Sequence, residues 1–380
     1  MYSNGTSEKL ALVLSGGGAR AAYQVGVLCA IAETYPALRI PILTGVSAGA
    51  INTSFLAAHT GDLRSAAEGL HTEWRRLTSD HVYCFSYSRI LPAVFRAAVD
   101  FIGGRTSGRP ATRGLLDMSP LGVFLKGCVD LSGIDTNIES GKLIAAALSA
   151  TSYSEGSTVT FVHGASSVQM WRRTRRYSVK TKLTHDHVLA SSAIPLVFEA
   201  MRINGTYYGD GSVRQTAPLA PAIHLGAEKI LAISMRTRGD TRAPTVANLD
   251  YPSAAELMGV MFSSVFLDAL DTDGERLDRI NGLLHAIPEA RRSQMALRPI
   301  RLLMLNPSKD LGAMARGIQV RASAQVTWAL RAIGGRRARA SDFLSYLLFD
   351  PPYTTPLMDL GYEDARAQKD RIGDFIENQS

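Results

Sequence analysis

The chain opens with two short apolar runs that each end in glycines and are each followed by a helical pattern. Leu10–Leu14 leads into residues 15–18 (SGGG), and residues 40–44 lead into residues 45–49 (GVSAG). A short apolar run bounded by glycine predicts a buried strand, and the apolar residues at helical spacing after each run predict a helix. Strands that alternate with helices predict an α/β fold, in which helices cover a layered sheet.

The rest of the chain continues this pattern and divides near residue 237. Residues 143–162 predict a hairpin, although the alanines at their start also favour a helix. Residues 171–182 predict a basic pair of strands, and residues 237–250 are polar enough to form a linker. Amphipathic helices and one strand-like run follow. We therefore expect an α/β core over residues 8–236 and a mainly helical C-terminal extension, residues 237–380, packed on it.

Composition and charge exclude several classes of protein. The 380 residues carry a formal net charge of +7, and most of the 41 basic residues are arginines, which suit phosphate and carboxylate groups. Aromatic residues make up 7% of the chain and no zinc-finger or helix-turn-helix pattern is present, so we expect no nucleic-acid partner. Cys29, Cys84 and Cys128 are too dispersed for a disulfide framework or a four-cysteine zinc site, which indicates a reducing compartment.

No segment predicts a leader peptide or a membrane span. The first nine residues are polar, and the most apolar long window, residues 254–270, contains Glu256 and Asp268. A span needs about 20 consecutive apolar residues. We therefore expect a cytoplasmic protein, and the basic charge adds the hypothesis of peripheral contact with an anionic membrane. The sequence leaves the oligomeric state open.

Residues 45–49 fit the pattern G-x-S-x-G. A serine on a sharp strand-to-helix turn projects its hydroxyl from the bend, and glycines two residues to either side keep side chains out of it. The helix that follows directs its first amides toward negative charge that forms near the serine. Ser47 is therefore the candidate nucleophile, with Gly45 and Gly49 as the nucleophile elbow. An ordinary strand-to-helix turn is the alternative interpretation.

Residues 15–20 (SGGGAR) place consecutive glycines at a helix start, where bare amides can hold an oxyanion or a phosphate. The same segment satisfies the dinucleotide-binding pattern G-x-G-x-x-A. That alternative requires an acidic residue at the end of the second strand, and residues 44–47 contain none. A tight turn without function is the third interpretation.

Residues 209–212 (GDGS) form the third motif. An aspartate between glycines is usually a turn residue that bonds its own backbone. Beside a serine nucleophile Asp210 gains a second role, because a carboxylate of raised pKa can take the proton of the hydroxyl. None of the eight histidines lies in a comparable glycine turn. His224 and His285 stay as alternative bases, because they follow Ser47 in the order usual for a hydrolase triad.

Together these motifs resemble those of the patatin-like phospholipases, acyl hydrolases with a serine–aspartate dyad. The resemblance runs from residue 10 to residue 234 and includes residues 190–195 (ASSAIP) shortly before the aspartate. It implies a three-layer α/β/α sandwich with a central, mostly parallel sheet. It also implies a catalytic dyad of Ser47 and Asp210, an oxyanion hole at Gly16, Gly17, Gly18 and Arg20, and a base turn at Gly211 and Ser212.

Two residues depart from the pattern of that family. Ala21 stands where glycine is common, and Ser212 stands where glycine or alanine is usual. The extra methyl of Ala21 lies in a helix start and should be harmless. The hydroxyl of Ser212 could bond Asp210 and lower its pKa, which would change the rate more than the roles of the residues.

The sequence therefore predicts a serine acyl hydrolase of the phospholipase A or lysophospholipase kind, acting on a lipid or acyl-ester substrate without a metal or cofactor. A dinucleotide-binding oxidoreductase and an inactive membrane-binding module are the alternatives. Four further segments are interpreted either as ordinary surface or core, or as lipid-related features. These are a headgroup contact at residues 171–182, a lid at residues 101–113, a second membrane contact at residues 331–339, and a buried helix face or acyl tunnel at residues 258–267.

Overall fold

The protein is described by a computed structural model over residues 8–85, 114, 116–237, 254–316, 318 and 340–377. Three predicted features lie outside these residues: the lid at 101–113, most of the linker at 237–250 and the basic segment at 331–339. Within the described ranges, no helix is both long and apolar enough to cross a membrane.

The strands of the described residues alternate with helices along most of the chain. The strands are β1 (Leu10–Leu14), β2 (Ile42–Val46), β3 (Cys84–Phe85), β4 (Leu116–Asp117), β5 (Ala145–Ser152), β6 (Ser157–Gly164), β7 (Arg172–Arg173), β8 (Arg176–Lys180), β9 (Met201–Ile203), β10 (Thr206–Asp210), β11 (Lys229–Ile233) and β12 (Arg301–Leu305). The hairpin predicted over residues 143–162 is confirmed, because β5 and β6 pair antiparallel over their full length.

The helices are of very different lengths. They are α1 (Ala22–Thr34), α2 (Ala48–Ala58), α3 (Leu63–Arg76), α4 (Ser79–Val82), α5 (Ser119–Cys128), α6 (Gly133–Glu139), α7 (His185–Ser192), α8 (Ala220–His224), α9 (Ala254–Phe266), α10 (Asp268–His285), α11 (Glu289–Arg292), α12 (Leu311–Met314), α13 (Ala340–Leu347), α14 (Pro351–Ala367) and α15 (Lys369–Glu377). Two short 3-10 helices, Gly18–Ala21 and Gly211–Val213, begin within the glycine motifs at residues 15–20 and 209–212.

Ten strands form one mixed sheet in the order β12-β11-β1-β2-β5-β6-β8-β7, and β10 and β9 are attached to the far end of β5. The strands from β12 to β5 run parallel, whereas β6 is antiparallel to β5 and parallel to β8. The central strands β1, β2, β5 and β11 are buried along their whole length, as expected for strands covered on both faces.

Helices cover both faces of this sheet. Alternate residues of β1 enter different cores: Leu12 and Leu14 pack with α1, α2 and the C-terminal helices, whereas Ala11 and Val13 pack with α8 and α10. This alternation follows from the two-residue period of a strand. The expected three-layer α/β/α sandwich, with a mostly parallel centre and C-terminal helices, is confirmed.

The C-terminal region contributes to both the sheet and a helix layer. Strand β12 adds to the sheet beside β11, and α14 packs along α1. The two helices approach closely where glycines face backbone, because a Cβ on Gly26 would meet the carbonyl of Met358. The hydroxyl of Tyr23 on α1 also donates to Asp364 Oδ2 of α14 at 3.1 Å. This packing places the C-terminal helices behind the first glycine turn.

The expectation of a buried helix face over residues 258–267 is only partly correct. Helix α9 covers this segment, and Phe266 is buried against Tyr346 of α13. Val260 and Met261 are instead 60% and 64% exposed. The physical reason is that the apolar residues extend around more of the helix than the single face that α13 can cover.

Candidate active site

Ser47 lies at the junction of β2 and α2 in a sharply bent backbone conformation, with φ 56° and ψ −133°. A residue other than glycine pays about 1–3 kcal/mol for such a conformation, which persists only where the surroundings impose it. Gly49 supplies part of that constraint, because a Cβ there would meet the carbonyl oxygens of Leu14 and Ser15. Gly45 packs equally closely, against Thr53 and the Gly49 carbonyl. The bend predicted from G-x-S-x-G is present.

Two further serines hold the peptide groups of Ser47. The Ser47 N–H donates to Ser191 Oγ at 3.1 Å, and Ser192 Oγ donates to the Ser47 carbonyl at 3.0 Å. The Ser191 hydroxyl itself donates to the carbonyl of Ser149 in β5 at 2.6 Å. Sequence reasoning placed residues 190–195 in a family-like segment but assigned them no role. The structure shows that α7 fixes the turn at Ser47 to the sheet.

The register of the sheet brings Asp210 to Ser47. Strand β5 pairs along one edge with β6, and its other edge is shared by β2 and β10. Val46, the last residue of β2, is opposite Ser149, and Asp210, the last residue of β10, is opposite Ala150. The two strands run in opposite directions and end one position apart. Side chains 163 positions apart in sequence therefore meet at one point.

The carboxyl group of Asp210 is fully buried. Its Oδ1 accepts the N–H of Ser212 at 2.9 Å, and its own N–H donates to the carbonyl of Ala193 at 2.8 Å. Burial raises the pKa of Asp210 to about 7, although the hydroxyls of Ser47 and Ser212 and the Ser212 amide each stabilise the ionised form and lower it. Both hydroxyls are thus close to the carboxylate, yet neither completes a hydrogen bond to the buried Oδ2.

The glycine loop after β1 faces the same point. A Cβ on Gly16 would lie 2.7 Å from Ser212 Oγ and 2.9 Å from Ser47 Cβ, so only glycine fits between them. Gly18 has φ 56° and begins the 3-10 helix that leads into α1. The free amides of a helix start carry partial positive charge, which suits an oxyanion. Of the three glycines, Gly16 is therefore the one that lies directly beside Ser47, whereas Gly17 packs on Met235 and Gly18 on the backbone of Tyr346.

Arg20 lies behind this loop and contacts the C-terminal helix α13. Its side chain is 2% exposed, its Nε donates to Ser345 Oγ at 2.8 Å, and its guanidinium lies 4.2 Å from the ring centre of Tyr346. The carbonyl of Tyr346 also packs directly on Gly18. The sequence predicted an oxyanion-hole role for Arg20 but not this contact. It connects the glycine loop to residues more than 300 positions away in the chain.

A buried chain of hydrogen bonds connects the glycine loop after β1 to helix α2, which begins directly after Ser47. Gln24 Nε2 donates to the carbonyl of Ser15 at 2.9 Å, and Asn52 Nδ2 donates to Gln24 Oε1 at 2.8 Å. Trp74 Nε1 then donates to Asn52 Oδ1 at 2.8 Å. Gln24 and Asn52 are completely buried. These residues were not predicted from the sequence, in which Gln24 and Asn52 are polar side chains within mostly apolar helix patterns.

The histidines proposed as alternative bases lie elsewhere. His224 stacks on Trp171 with ring centres 4.9 Å apart, and burial together with Arg173 and Arg176 lowers its pKa. His285 ends α10 at the surface. Among the hydrogen bonds of the described residues, none joins a histidine to Ser47 or Asp210. The same ranges contain no group of three or more His, Cys, Asp or Glu side chains arranged around a metal position.

A family model described as patatin-like phospholipase matches residues 12–223 of the chain. The match covers more than half of the sequence and confirms the resemblance that the three motifs indicated. A comparison with curated proteins gives no match.

Several solved structures are similar in backbone. Human GIVD cytosolic phospholipase A2 bound to methyl gamma-linolenyl fluorophosphonate is 14% identical over 97% of this chain and 58% of its own, with a TM-score of 0.44. A second structure of the human protein is 13% identical over 97% and 60%, with a TM-score of 0.46. VipD from Legionella pneumophila is 12% identical over 93% and 67%, with a TM-score of 0.32. The chain thus spans less than two thirds of the human protein's length.

Proposed function

The chain belongs to the patatin-like phospholipase family, and we propose that it is a serine acyl hydrolase that cleaves lipid esters with a Ser47–Asp210 dyad. One observation carries the proposal: a strained serine and a fully buried carboxyl group, 163 positions apart, meet where β2 and β10 end on β5. Only glycine fits beside them. This arrangement has the parts that acyl transfer needs: a nucleophile, a base and a source of amide donors.

The proposed reaction begins with proton transfer from Ser47 to the Asp210 carboxylate while Ser47 Oγ attacks the ester carbonyl carbon. The amides of Gly16, Gly17 and Gly18 hold the negative oxygen of the tetrahedral intermediate, and Arg20 keeps their loop against α13. The carbon–oxygen bond to the alcohol then breaks, and Asp210 returns its proton to the leaving oxygen. Water repeats the sequence on the acyl-serine and releases the fatty acid.

The pKa of the base suits this chemistry. A carboxylate of ordinary pKa is too weak a base for a serine hydroxyl, and a general base works best with a pKa near the working pH. Burial raises the pKa of Asp210 to about 7, whereas the ordinary value is 3.8. The deeply buried position of the group, which would cost stability in a structural residue, is therefore consistent with a catalytic one.

The substrate class follows from the family rather than from a bound ligand. We propose a phospholipid or lysophospholipid ester, met at the surface of an anionic membrane, with no metal or cofactor in the reaction. The sequence predicts a core at residues 8–236 and an extension at residues 237–380. We propose that the extension contributes to catalysis through α13, which packs against the glycine loop.

Turnover assays test the proposal. Purified protein is given a short-chain soluble ester, then mixed vesicles of phosphatidylglycerol, phosphatidylcholine and lysophosphatidylcholine, and fatty-acid release is measured. Ser47→Ala and Asp210→Asn should each lose about a hundredfold or more, since either change removes a member of the dyad. Ser154→Ala, a surface serine in the β5–β6 turn, is the matched control and should keep full activity.

Three outcomes would contradict the proposal. Release of fatty acid that persists in Ser47→Ala would place the nucleophile elsewhere. A parent protein that releases none, but shows nicotinamide fluorescence changes on titration with a dinucleotide, would favour the oxidoreductase alternative. A parent that binds vesicles without turnover would be the inactive membrane-binding module.

A further inference from the structure

We propose that one edge of the sheet, defined by two exposed arginines and three exposed apolar side chains, docks the protein on an anionic lipid bilayer. This docking edge consists of Tyr153, Arg173, Arg175, Tyr207 and Val213. It rests on the proposed lipid substrate for its purpose, but its support comes from residues outside the dyad. Docking here would turn the carboxyl side of the sheet, where Ser47 and Asp210 lie, toward the lipid.

The direction of the strands places the basic hairpin on the catalytic side. Strand β6 is antiparallel to β5, and β8 runs parallel to β6. Strand β8 therefore begins at the end of the sheet where β5 finishes. Arg176, the first residue of β8, is opposite Thr158. Residues 174 and 175, which connect β7 to β8, therefore lie at the same edge of the sheet as Asp210. Arg175 has φ 55°, as a tight turn requires.

One residue joins the hairpin tip to the loop of the base. The N–H of Thr158 donates to the carbonyl of Arg175 at 2.9 Å, and its hydroxyl donates to the carbonyl of Arg214 at 3.1 Å. Arg214 directly follows the 3-10 helix that begins after Asp210. Thr158 therefore connects the hairpin tip at Arg175 to the loop after Asp210. A membrane bound at the hairpin tip would thus lie close to Asp210.

The hairpin is strongly basic. Residues 171–182 contain four arginines, two lysines and no acidic residue, and Arg173 and Arg175 are exposed. Their field reaches neighbouring groups, because Arg173 and Arg176 help to lower the pKa of His224. Glu155 beside Tyr177 offsets part of this charge. Each basic side chain near an anionic bilayer contributes about 1 kcal/mol of attraction.

Exposed apolar side chains lie at the same end of the sheet as this charge, which favours a bilayer over a nucleic acid. Tyr153, Tyr207 and Val213 are 43%, 48% and 38% exposed. The N–H of Tyr153 donates to the carbonyl of Tyr207 at 3.0 Å, so the two residues lie side by side, and Val213 is the last residue of the 3-10 helix that follows Asp210. Tyrosine is favoured at the boundary between lipid and water, and arginine beside it can bind phosphate. Nucleic acid would need the charge but not the exposed valine.

Vesicle binding tests the docking edge. All variants are made in the Ser47→Ala background, so that binding is measured without turnover, and are floated with vesicles of phosphatidylcholine alone or with roughly one-third phosphatidylglycerol. Arg173→Glu/Arg175→Glu should weaken binding to the anionic vesicles by about tenfold or more. Arg291→Glu/Arg292→Glu on α11 is the matched control, with the same charge change at the opposite edge of the sheet, and should stay within about twofold of the parent.

Equal losses in both double variants would overturn the proposal, because only net charge would then matter. Unchanged binding in the hairpin variant would also overturn it, as would tighter binding of the parent to a DNA duplex than to the vesicles. The test is separate from that of the dyad. In a protein that retains Ser47, Arg173→Glu/Arg175→Glu should hydrolyse a soluble short-chain ester at the parental rate. If the parent shows no ester turnover, the vesicle-binding result still stands on its own.

Discussion

The buried carboxyl of Asp210 should destabilise the protein at high pH, and Asp210→Asn should therefore raise stability in a pH-dependent way. Burial raises the pKa of this group from 3.8 to about 7 in the folded chain. Between these values the folded chain holds a proton that the unfolded chain has lost, so this group's contribution to stability falls as the pH rises. Asparagine is neutral throughout and avoids that loss.

The size of the effect follows from the same values. Each pH unit in this window corresponds to about 1.4 kcal/mol. From pH 5 to about 7 the parent should therefore lose roughly 3 kcal/mol through Asp210 alone. For a chain of this length one kcal/mol changes Tm by about 1.3 °C. The rise in Tm caused by Asp210→Asn should therefore be about 4 °C larger at pH 8 than at pH 5.

Thermal unfolding followed by circular dichroism at both pH values measures this difference. Asp62→Asn is the control, because Asp62 caps α3 at the surface and its hydrogen bonds to Ser65 lower its pKa. That carboxylate is ionised at both pH values, so its replacement should change Tm equally at pH 5 and pH 8. An equal change of Tm at both pH values for Asp210→Asn would refute the reasoning, since Asp210 would then not titrate in this window.

Three further predictions concern the surroundings of the dyad. Gly49→Ala should lower the free energy of unfolding in urea by about 1–3 kcal/mol, because the new methyl group would meet the Leu14 and Ser15 carbonyls. Gly127→Ala, with open space around the residue, should cause no loss, and equal effects of the two substitutions would contradict this prediction. Asn52→Leu leaves Trp74 Nε1 and Gln24 Oε1 without partners and should cost about 2–6 kcal/mol in the same assay, while a loss below about 1 kcal/mol would contradict it. Ser212→Ala removes a hydroxyl that lowers the pKa of Asp210, so the acid limb of the kcat/KM profile should move to higher pH; an unmoved limb would contradict this.

The sequence predicted those parts of the fold that neighbouring residues determine. The turns after β1 and β2 follow from apolar runs that end in glycine, and the β5–β6 hairpin follows from β-branched residues after a polar turn. The bend at Ser47 has the same origin, because Gly45 and Gly49 are its close neighbours in the chain. Local patterns were sufficient for these features.

Long-range contacts were not predictable in the same way. The partners of Arg20 are more than 300 positions away, and nothing near Arg20 indicates Ser345. Gln24, Asn52 and Trp74 belong to three different helices, so their hydrogen bonds become visible only once those helices pack. The pKa of Asp210 likewise depends on complete burial, which a glycine turn by itself does not imply.

Covalent labelling with a fluorophosphonate, followed by peptide mass spectrometry, tests most directly whether Ser47 is activated by Asp210. We predict one phosphonylated residue, Ser47, labelled faster at pH 8 than at pH 5 and hardly at all in Asp210→Asn. An adduct on Ser192 or Ser212 with Ser47 unmodified, or labelling of Ser47 at the same rate in Asp210→Asn, would contradict this account.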